Sequence, residues 1–149
     1  MSETFTLYVV DEDLLPTELV GNDDEEMYEQ LVSAVGENGT LETTVEMTED
    51  DFVDALESID KLIDGNRLLP NNAMNHSPHE LLGNNSDCPY FGYFSPAQVQ
   101  ELLFLFESLS DEQIDIIESV ETHSQVFSAF RSAAESALDF EHALAIVHT

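Results

Sequence analysis

Apolar residues recur along this chain with two different periods, and their order predicts the structural elements. Residues 4–10 (TFTLYVV) form a short apolar, aromatic and β-branched run, which is typical of a buried strand. Residues 143–147 (ALAIV) form a second such run, and we expect it to pair with the first. Between them, residues 40–47 place Leu41, Val45 and Met47 on one face, which fits either a strand or an extended connector.

Most of the remaining apolar residues recur every three or four positions, the spacing of an amphipathic helix. Gly36 and Gly65 follow two of these segments as expected helix ends. The pattern predicts helices whose apolar positions run from Met27 to Val35, Phe52 to Ile63, Val99 to Leu109, Ile114 to Val120 and Val126 to Leu138. The third of these is apolar on most sides, so we expect it to be the central helix.

Two regions are expected to be less regular. Residues 11–20 carry leucines at helical spacing, but Pro16 interrupts them, so we expect a short helix or two turns. Residues 66–90 form a long polar stretch, and a loop of that length is often functional. Within it, Ser77, Pro78 and Glu80 match a helix start, which predicts a short helix over residues 77–82.

These elements predict one α+β domain over residues 1–149, with a small sheet that includes N- and C-terminal strands and about five packed helices. The hydrophobic fraction of 42% is sufficient for a core and too high for a disordered acidic tail.

The net charge is the property that departs most from an ordinary domain. The chain has 32 Asp and Glu residues against Lys61, Arg67 and Arg131, a formal net charge of -29. Such a surface repels phosphates, and three cations cannot neutralise a nucleic-acid backbone, so we expect no nucleic-acid binding. The same field accelerates encounters with cationic proteins, so the charge favours a basic protein partner.

Acidity of this degree also arises for two reasons that involve no specific partner. Acidic surfaces keep proteins hydrated in a salty cytoplasm, and added Asp and Glu also raise the solubility of an abundant protein. A proteome-wide acidic bias in the source would favour these two reasons over a binding role.

The number of cysteines and the hydropathy of the chain indicate its cellular compartment. Cys88 is the single cysteine, so no intramolecular disulfide can form, and a reducing cytoplasm fits best. Residues 1–10 lack a basic region followed by a long apolar one, and no apolar run approaches a membrane span. We therefore expect no leader, no membrane contact and a cytoplasmic location.

Residues with metal-ligand chemistry gather in the long polar stretch: His76, His79, Asp87 and Cys88. Their spacing is not that of a known zinc module, and a polar loop around a capped helix is the favoured explanation. The acidic runs do not fit a calcium-binding loop, since none has Gly and Glu at the required positions. We predict no metal and no cofactor.

Catalytic signatures are not evident in the sequence. Paired carboxylates arise by chance among so many acids, and we find neither a serine nucleophile elbow nor a glycine-rich phosphate loop. Cys88 has no cationic neighbour in sequence to lower its pKa. We therefore predict a protein that is not an enzyme.

The densest aromatic cluster, residues 90–94 (YFGYF), lies between the polar stretch and the third predicted helix. Aromatic residues are frequent anchors of interfaces, but alternating aromatics before a capped helix are more often part of the core. Both interpretations stay open at this point.

Several segments together resemble the YfbM-like family of small bacterial proteins, which lack an assigned activity. The segments are IDKLIDGNRLLP at residues 59–70, HELLG at 79–83, YFGYFSP at 90–96, VQELLFLFESL at 99–109, FSAFRSAAESA at 127–137 and ALAIV at 143–147. The region from Ile59 to Leu109, together with the last two segments, covers about half of the chain. The resemblance implies a mixed α/β domain and transfers no functional residues, and the strong acidity departs from the family.

The leading functional prediction is a non-enzymatic antagonist, an immunity protein or nucleic-acid mimic whose carboxylates take the places of phosphates on a basic partner. The partner would be a toxin domain, a nuclease, a nucleic-acid deaminase or a DNA-binding protein. The candidate contact residues are three acidic clusters: Asp11, Glu12 and Asp13; Asp23, Asp24, Glu25 and Glu26; and Glu49, Asp50 and Asp51. The alternative is a YfbM-like housekeeping domain that is acidic for solubility or salt adaptation.

Overall fold

A computed structural model describes residues 3–16, 18, 24–74 and 91–148 of the chain. In these ranges the fold is α+β, as predicted, with a short 3-10 turn at Glu12–Leu14 after the first strand. The strands are β1 (Glu3–Val10), β2 (Gly39–Met47), β3 (Phe91–Phe94) and β4 (Ala143–His148). The helices are α1 (Asp24–Asn38), α2 (Glu49–Ile63), α3 (Leu68–Met74), α4 (Pro96–Glu107), α5 (Asp111–Glu118) and α6 (Glu121–Asp139).

The strands form one antiparallel sheet in the order β2-β1-β4-β3. The predicted pairing of the first and last strands is confirmed, with Phe5 opposite His148 and Val10 opposite Ala143. On its other side β1 pairs with β2, where Glu3 lies opposite Met47. The segment around residues 40–47 is therefore a strand rather than a connector.

Alternate residues of β1 are buried on opposite faces of this sheet, because successive strand side chains point in opposite directions. Phe5 and Leu7 belong to the larger core, which is shared with α2, α4 and α6. Val10 belongs to a smaller core on the other face, together with Leu31 and Val35 of α1. The sheet is thus the middle layer between α1 and the remaining long helices.

Local capping explains where two of the helices begin. Ser95 accepts a hydrogen bond from the backbone N–H of Gln98, whose side chain accepts one from the Ser95 N–H. Ser110 and Gln113 make the same reciprocal pair at the start of α5. Such a box satisfies two N–H groups that a helix start leaves without intrahelical partners.

The structure corrects three local predictions. Helix α1 continues through Gly36 to Asn38, so that glycine is not a helix end. The stretch after Gly65 is not a continuous loop, because α3 occupies Leu68–Met74. Helix α4 is not enclosed, since Phe104 is 68% exposed. The short helix expected after the first strand is present as the 3-10 turn Glu12–Leu14, which ends before Pro16.

The helix predicted over residues 77–82 falls on residues that the structure does not describe. Among the described residues, no helix combines the length and apolar character that a membrane crossing requires.

Candidate binding surface

Exposed carboxylates are spread widely over the described part of the chain. They occur on α1, α2, α4, α5 and α6, and also on β2 and several connections. The distribution is therefore not one isolated patch. What distinguishes one region from another is how the sheet places the three predicted clusters relative to each other.

The first cluster lies at the end of the sheet where Val10 is opposite Gly39. Asp11 accepts a hydrogen bond from the backbone N–H of Asp13 at 3.0 Å and so caps the 3-10 turn. Glu12 is half-buried and accepts a hydrogen bond from the phenol of Tyr93. Two of its three acids therefore have structural partners, which weakens their assignment as contact residues.

The second cluster is placed by a contact between α1 and the last strand. Tyr28, in the first part of α1, donates a hydrogen bond from its hydroxyl to the backbone carbonyl of His148 at 3.1 Å. His148 lies opposite Phe5, near the start of β1. The first turn of α1, with exposed Glu25 and Glu26, therefore lies near the opposite end of the sheet from Asp11. Asp23 and the side chain of Asp24 are outside the described residues.

The third cluster is in the first turn of α2, which follows β2 after a single residue, Thr48. The Thr48 hydroxyl accepts a hydrogen bond from the backbone N–H of Asp51 at 3.2 Å and begins the helix. Since Met47 lies opposite Glu3, this cluster also lies near the start of β1. Carboxylates in a first helical turn are stabilised by the positive end of the helix dipole.

We call the region where the second and third clusters meet the acidic end: Glu3, Glu25, Glu26, Glu49, Asp50 and Asp51. Its members border one end of the sheet from both faces, because α1 and α2 pack on opposite sides. Along β1 the first cluster begins eight residues from Glu3, which corresponds to about 26 Å of strand. The structure thus places two of the three predicted clusters at the same end of the sheet and the third at the other end.

One histidine belongs to the same end. His148 is buried, stacks on Phe5 with 4.6 Å between ring centroids, and contacts the Glu3 carboxylate through Nε2 at 3.1 Å. This contact ties the last strand to the start of the first.

The three cations are placed away from the acidic end. Arg67 contacts Glu57 at 3.7 Å, and Arg131 contacts Glu135 at 3.4 Å while lying 5.9 Å from the Phe127 ring centroid. Lys61 is in the last turn of α2, ten residues beyond Asp51, which corresponds to about 15 Å. Both arginines therefore pair with carboxylates outside the acidic end.

A polar groove of about 800 Å³ runs between β2 and α6. We call it the β2–α6 groove; it is lined by Thr43, Thr44, Val45, Glu46, Ser124, Gln125, Ser128, Ala129 and Ser132. Next to the groove, beyond Thr43 and Ser132, the Ser136 hydroxyl donates a hydrogen bond to the Glu42 carboxylate at 2.9 Å.

A second, smaller cavity of about 320 Å³ lies between α2, α5 and the start of α6. His123 lines it, and its Nε2 is 2.9 Å from the Asp54 carboxylate, which is largely exposed. A histidine paired with a carboxylate can transfer protons, and the walls formed by Ile59, Ile116 and Val120 would accept a small apolar group.

The candidate metal ligands are not placed by the structure, because residues 75–90 lie outside the described ranges. Within the described ranges, no group of three or more His, Cys, Asp or Glu side chains could hold a metal ion.

The aromatic cluster before α4 belongs to the core. Phe91, Tyr93 and Phe94 are all buried on β3, and Phe94 packs against Phe130 with 6.0 Å between ring centroids. The described part of this cluster is therefore not an interface anchor.

Sequence reasoning missed the groove, although a signal was present. Ser124, Ser128, Ser132 and Ser136 follow one another at intervals of four, the spacing that places residues on one side of a helix. A polar stripe beside an apolar stripe indicates a helix that is only partly covered. The partner of that stripe, the edge of β2, could not be inferred from the spacing.

Comparisons with family models, with curated proteins and with solved structures found no match for this chain. The resemblance to the YfbM-like family therefore stays a prediction.

Proposed function

We propose that this chain is a non-enzymatic binding protein that blocks a basic partner in the cytoplasm. The partner would be a toxin domain, a nuclease, a nucleic-acid deaminase or a DNA-binding protein. Carboxylates would occupy the positions of phosphates on its basic surface, and the folded domain would obstruct access to its cleft.

The observation that carries this proposal is the placement of two acidic clusters at the same end of the sheet, one on each face. Glu25 and Glu26 approach it from one face, and Asp50 and Asp51 approach it from the other. Several like charges at one end of the molecule raise the negative potential there, which increases the rate of encounter with a cationic surface. The two arginines pair with carboxylates elsewhere, so they do not neutralise this potential.

The second candidate function is a YfbM-like housekeeping domain whose acidity serves solubility or salt adaptation. The observation that favours it is the presence of exposed carboxylates on five described helices, well beyond the acidic end. In this case the charge would attract basic proteins without selecting one of them.

A pair of charge-matched variants separates the two functions. The first variant neutralises the acidic end with Glu25→Gln, Glu26→Gln, Asp50→Asn and Asp51→Asn. The control removes the same charge around α5 with Glu107→Gln, Asp111→Asn, Glu112→Gln and Asp115→Asn, all exposed positions. All four acids of the first set lie in first helical turns, against two of the control set, so the melting temperature of each variant is measured beside its binding.

Each protein is immobilised and exposed to host lysate, washed at about 0.15 M salt, where the screening length is about 8 Å. The antagonist function predicts that the wild type and the control capture one basic protein in stoichiometric amount, and that the acidic-end variant does not. The wild type should also inhibit the activity of that protein in solution. Equal losses in both variants, or capture of many abundant basic proteins that leave together as salt rises, would support the housekeeping function instead.

A further inference from the structure

The β2–α6 groove is bounded by the edge of a strand rather than by the face of a sheet. Four consecutive residues of β2, Thr43 to Glu46, line it. Successive strand side chains point to opposite faces, so four in a row can border one groove only along the strand's edge. Among the described strands, β2 pairs with β1 alone and is the outermost member of the sheet. Its outer N–H and C=O groups therefore face the groove.

Helix α6 forms the other wall and extends past this edge. Ser124, Ser128 and Ser132 line the groove from the helix, with Ser128 and Ser132 exposed. These side chains are short, so they leave room beside β2, and their hydroxyls can donate or accept hydrogen bonds. A strand added at about 4.8 Å from β2 would lie over this stripe.

One end of the groove is closed by a distortion of the strand. The register passes from Leu7 opposite Thr43 to Tyr8 opposite Leu41, so Glu42 is an extra residue that forms a β-bulge. The hydrogen bond from Ser136 holds the Glu42 side chain toward α6. Bulges and charges protect sheet edges from pairing. Regular pairing is therefore available only from Thr43 onward, in the direction of the acidic end.

The chemistry of the walls selects the kind of occupant. A polar wall of hydroxyls and backbone groups suits an extended main chain, whereas a docked amphipathic helix needs an apolar groove. Glu46 is exposed on β2, and Arg131, which lies beside the serine stripe of α6, is paired with Glu135 at 3.4 Å. The field along the groove is thus negative. A second copy of this chain, with its net charge of -29, would be repelled.

We propose that the β2–α6 groove binds an extended, basic segment of the partner protein, which adds to β2 as a further strand over residues 43–46. This inference rests on the proposed function and specifies how the partner is held: by main-chain hydrogen bonds in the groove, with its basic surface reaching the acidic end.

The test uses a fluorescent peptide of about ten residues, capped at both termini, in which lysine alternates with valine or threonine so that one face is cationic. Comparison peptides carry glutamate instead of lysine, or are N-methylated at alternate residues in one register or the other. N-methylation keeps the charge and removes the N–H groups that would pair with β2. Binding is measured by fluorescence anisotropy, and hydrogen exchange reports on the amides of residues 43–46.

The protein variant is Ser128→Arg, which places bulk and positive charge in the groove. Its control is Ser33→Arg, an identical change at an exposed serine of α1 on the opposite side of the sheet. We expect the lysine peptide to protect amides of residues 43–46. We also expect Ser128→Arg and one N-methylated register to weaken binding by about tenfold or more, with Ser33→Arg close to wild type.

Three outcomes would contradict the binding of a basic strand in the β2–α6 groove. Equal weakening by both arginine variants, with both N-methylated peptides binding normally, would mean that charge alone attracts the peptide. An absence of any binding by the lysine peptide would exclude a strand-adding site. Protection of the same amides that rises with protein concentration without peptide would show self-pairing instead.

Failure here and failure of the proposed function are distinguishable. Suppose that Ser128→Arg captures the stoichiometric lysate partner as well as wild type, and that the acidic-end variant does not. The proposal of strand addition in the groove is then wrong, and the antagonist function stands.

Discussion

The phenol of Tyr93, on β3, donates a hydrogen bond to the carboxylate of Glu12, in the turn after β1. The two residues are 81 positions apart in sequence. Burial, followed by the hydrogen bond and the negative charge of Glu12, raises the pKa of the Tyr93 phenol well above its ordinary value of 10.0. The contact therefore links the smaller core, which contains Tyr93, to the 3-10 turn that follows β1.

This contact predicts a loss of stability at high pH. Because the phenol stays protonated in the folded state while the unfolded chain ionises near pH 10, its contribution is complete below that pH. The free energy of unfolding should then fall as pH rises from about 10 to about 12. Tyr93→Phe should cost about 1 kcal/mol at neutral pH and make that decline shallower.

Urea unfolding of wild type and variant at several pH values measures both effects. Tyr8→Phe, which removes a phenol from β1, serves as the control. If Tyr8→Phe changes the decline of the free energy of unfolding with pH as much as Tyr93→Phe does, the decline is not caused by Tyr93.

The contact between β3 and α3 requires a glycine. A Cβ at Gly92 would overlap the backbone carbonyl group of Ala73. Gly92→Ala must therefore separate strand from helix, and we expect it to lower the free energy of unfolding by about 2 kcal/mol or more. Gly36→Ala is the matched comparison, because a Cβ there meets nothing within 4 Å.

Since Gly36 lies inside α1, the alanine should stabilise the protein by about 0.5–1 kcal/mol. Thermal unfolding of the two variants should move in opposite directions from wild type. A neutral Gly92→Ala would show that α3 is not packed against β3 as described.

The carboxylate of Asp60 organises the chain between α2 and α3. It is buried and accepts hydrogen bonds from the backbone N–H groups of Arg67 at 2.8 Å and Leu69 at 3.2 Å. The intervening backbone includes Asp64, Asn66 and Arg67 at positive φ, a conformation that L-residues adopt at some cost. The hydrogen bonds hold this segment in place.

We expect Asp60→Ala to cost about 2–3 kcal/mol, because the buried N–H group of Leu69 and the partly buried one of Arg67 lose their acceptor. Asp60→Asn keeps one acceptor oxygen and should cost less. Glu101→Ala, at an exposed acid of α4, controls for the loss of one negative charge and should be near neutral. An Asp60→Ala protein as stable as the Glu101→Ala protein, by urea unfolding, would exclude this role.

The high net charge predicts that salt stabilises the fold. Mutual repulsion among exposed carboxylates opposes the compact state, and added ions screen it. Raising sodium chloride from about 0.02 M to about 0.5 M should increase the melting temperature by about 4 °C or more. Sucrose at equal osmolality is the control, since it does not screen charge. A melting temperature that responds equally to both solutes would contradict the electrostatic explanation.

Much of the fold could be predicted because its signals are local. Ser95 with Gln98 and Ser110 with Gln113 set the starts of α4 and α5 within one helical turn, and the apolar runs at both ends of the chain identified β1 and β4. One error also has a local cause. Gly36 resembled a helix end, but Asn38 completes the last turn of α1 by donating a side-chain hydrogen bond to the Ala34 carbonyl at 3.0 Å.

The extent of α3 was missed because its signal is not local. Leu68–Met74 contains Pro70 and two asparagines, which are typical of a loop, but burial of Leu69 and Ala73 and the Asp60 hydrogen bonds stabilise it as a helix. Helix α4 looked central because leucine and phenylalanine surround it, and composition alone does not show which side the sheet covers.

By itself, the sequence determined the fold class, the positions of most helices and the negative charge, because these depend on spacing, capping and composition within short segments. Only the tertiary structure decided where the charges meet. The pairing of Glu3 with Met47, together with the Tyr28 hydrogen bond to His148, brings two acidic clusters to one end and leaves Asp11 at the other. Strand register and the position of an edge depend on contacts between residues far apart in the chain, which no local pattern specifies.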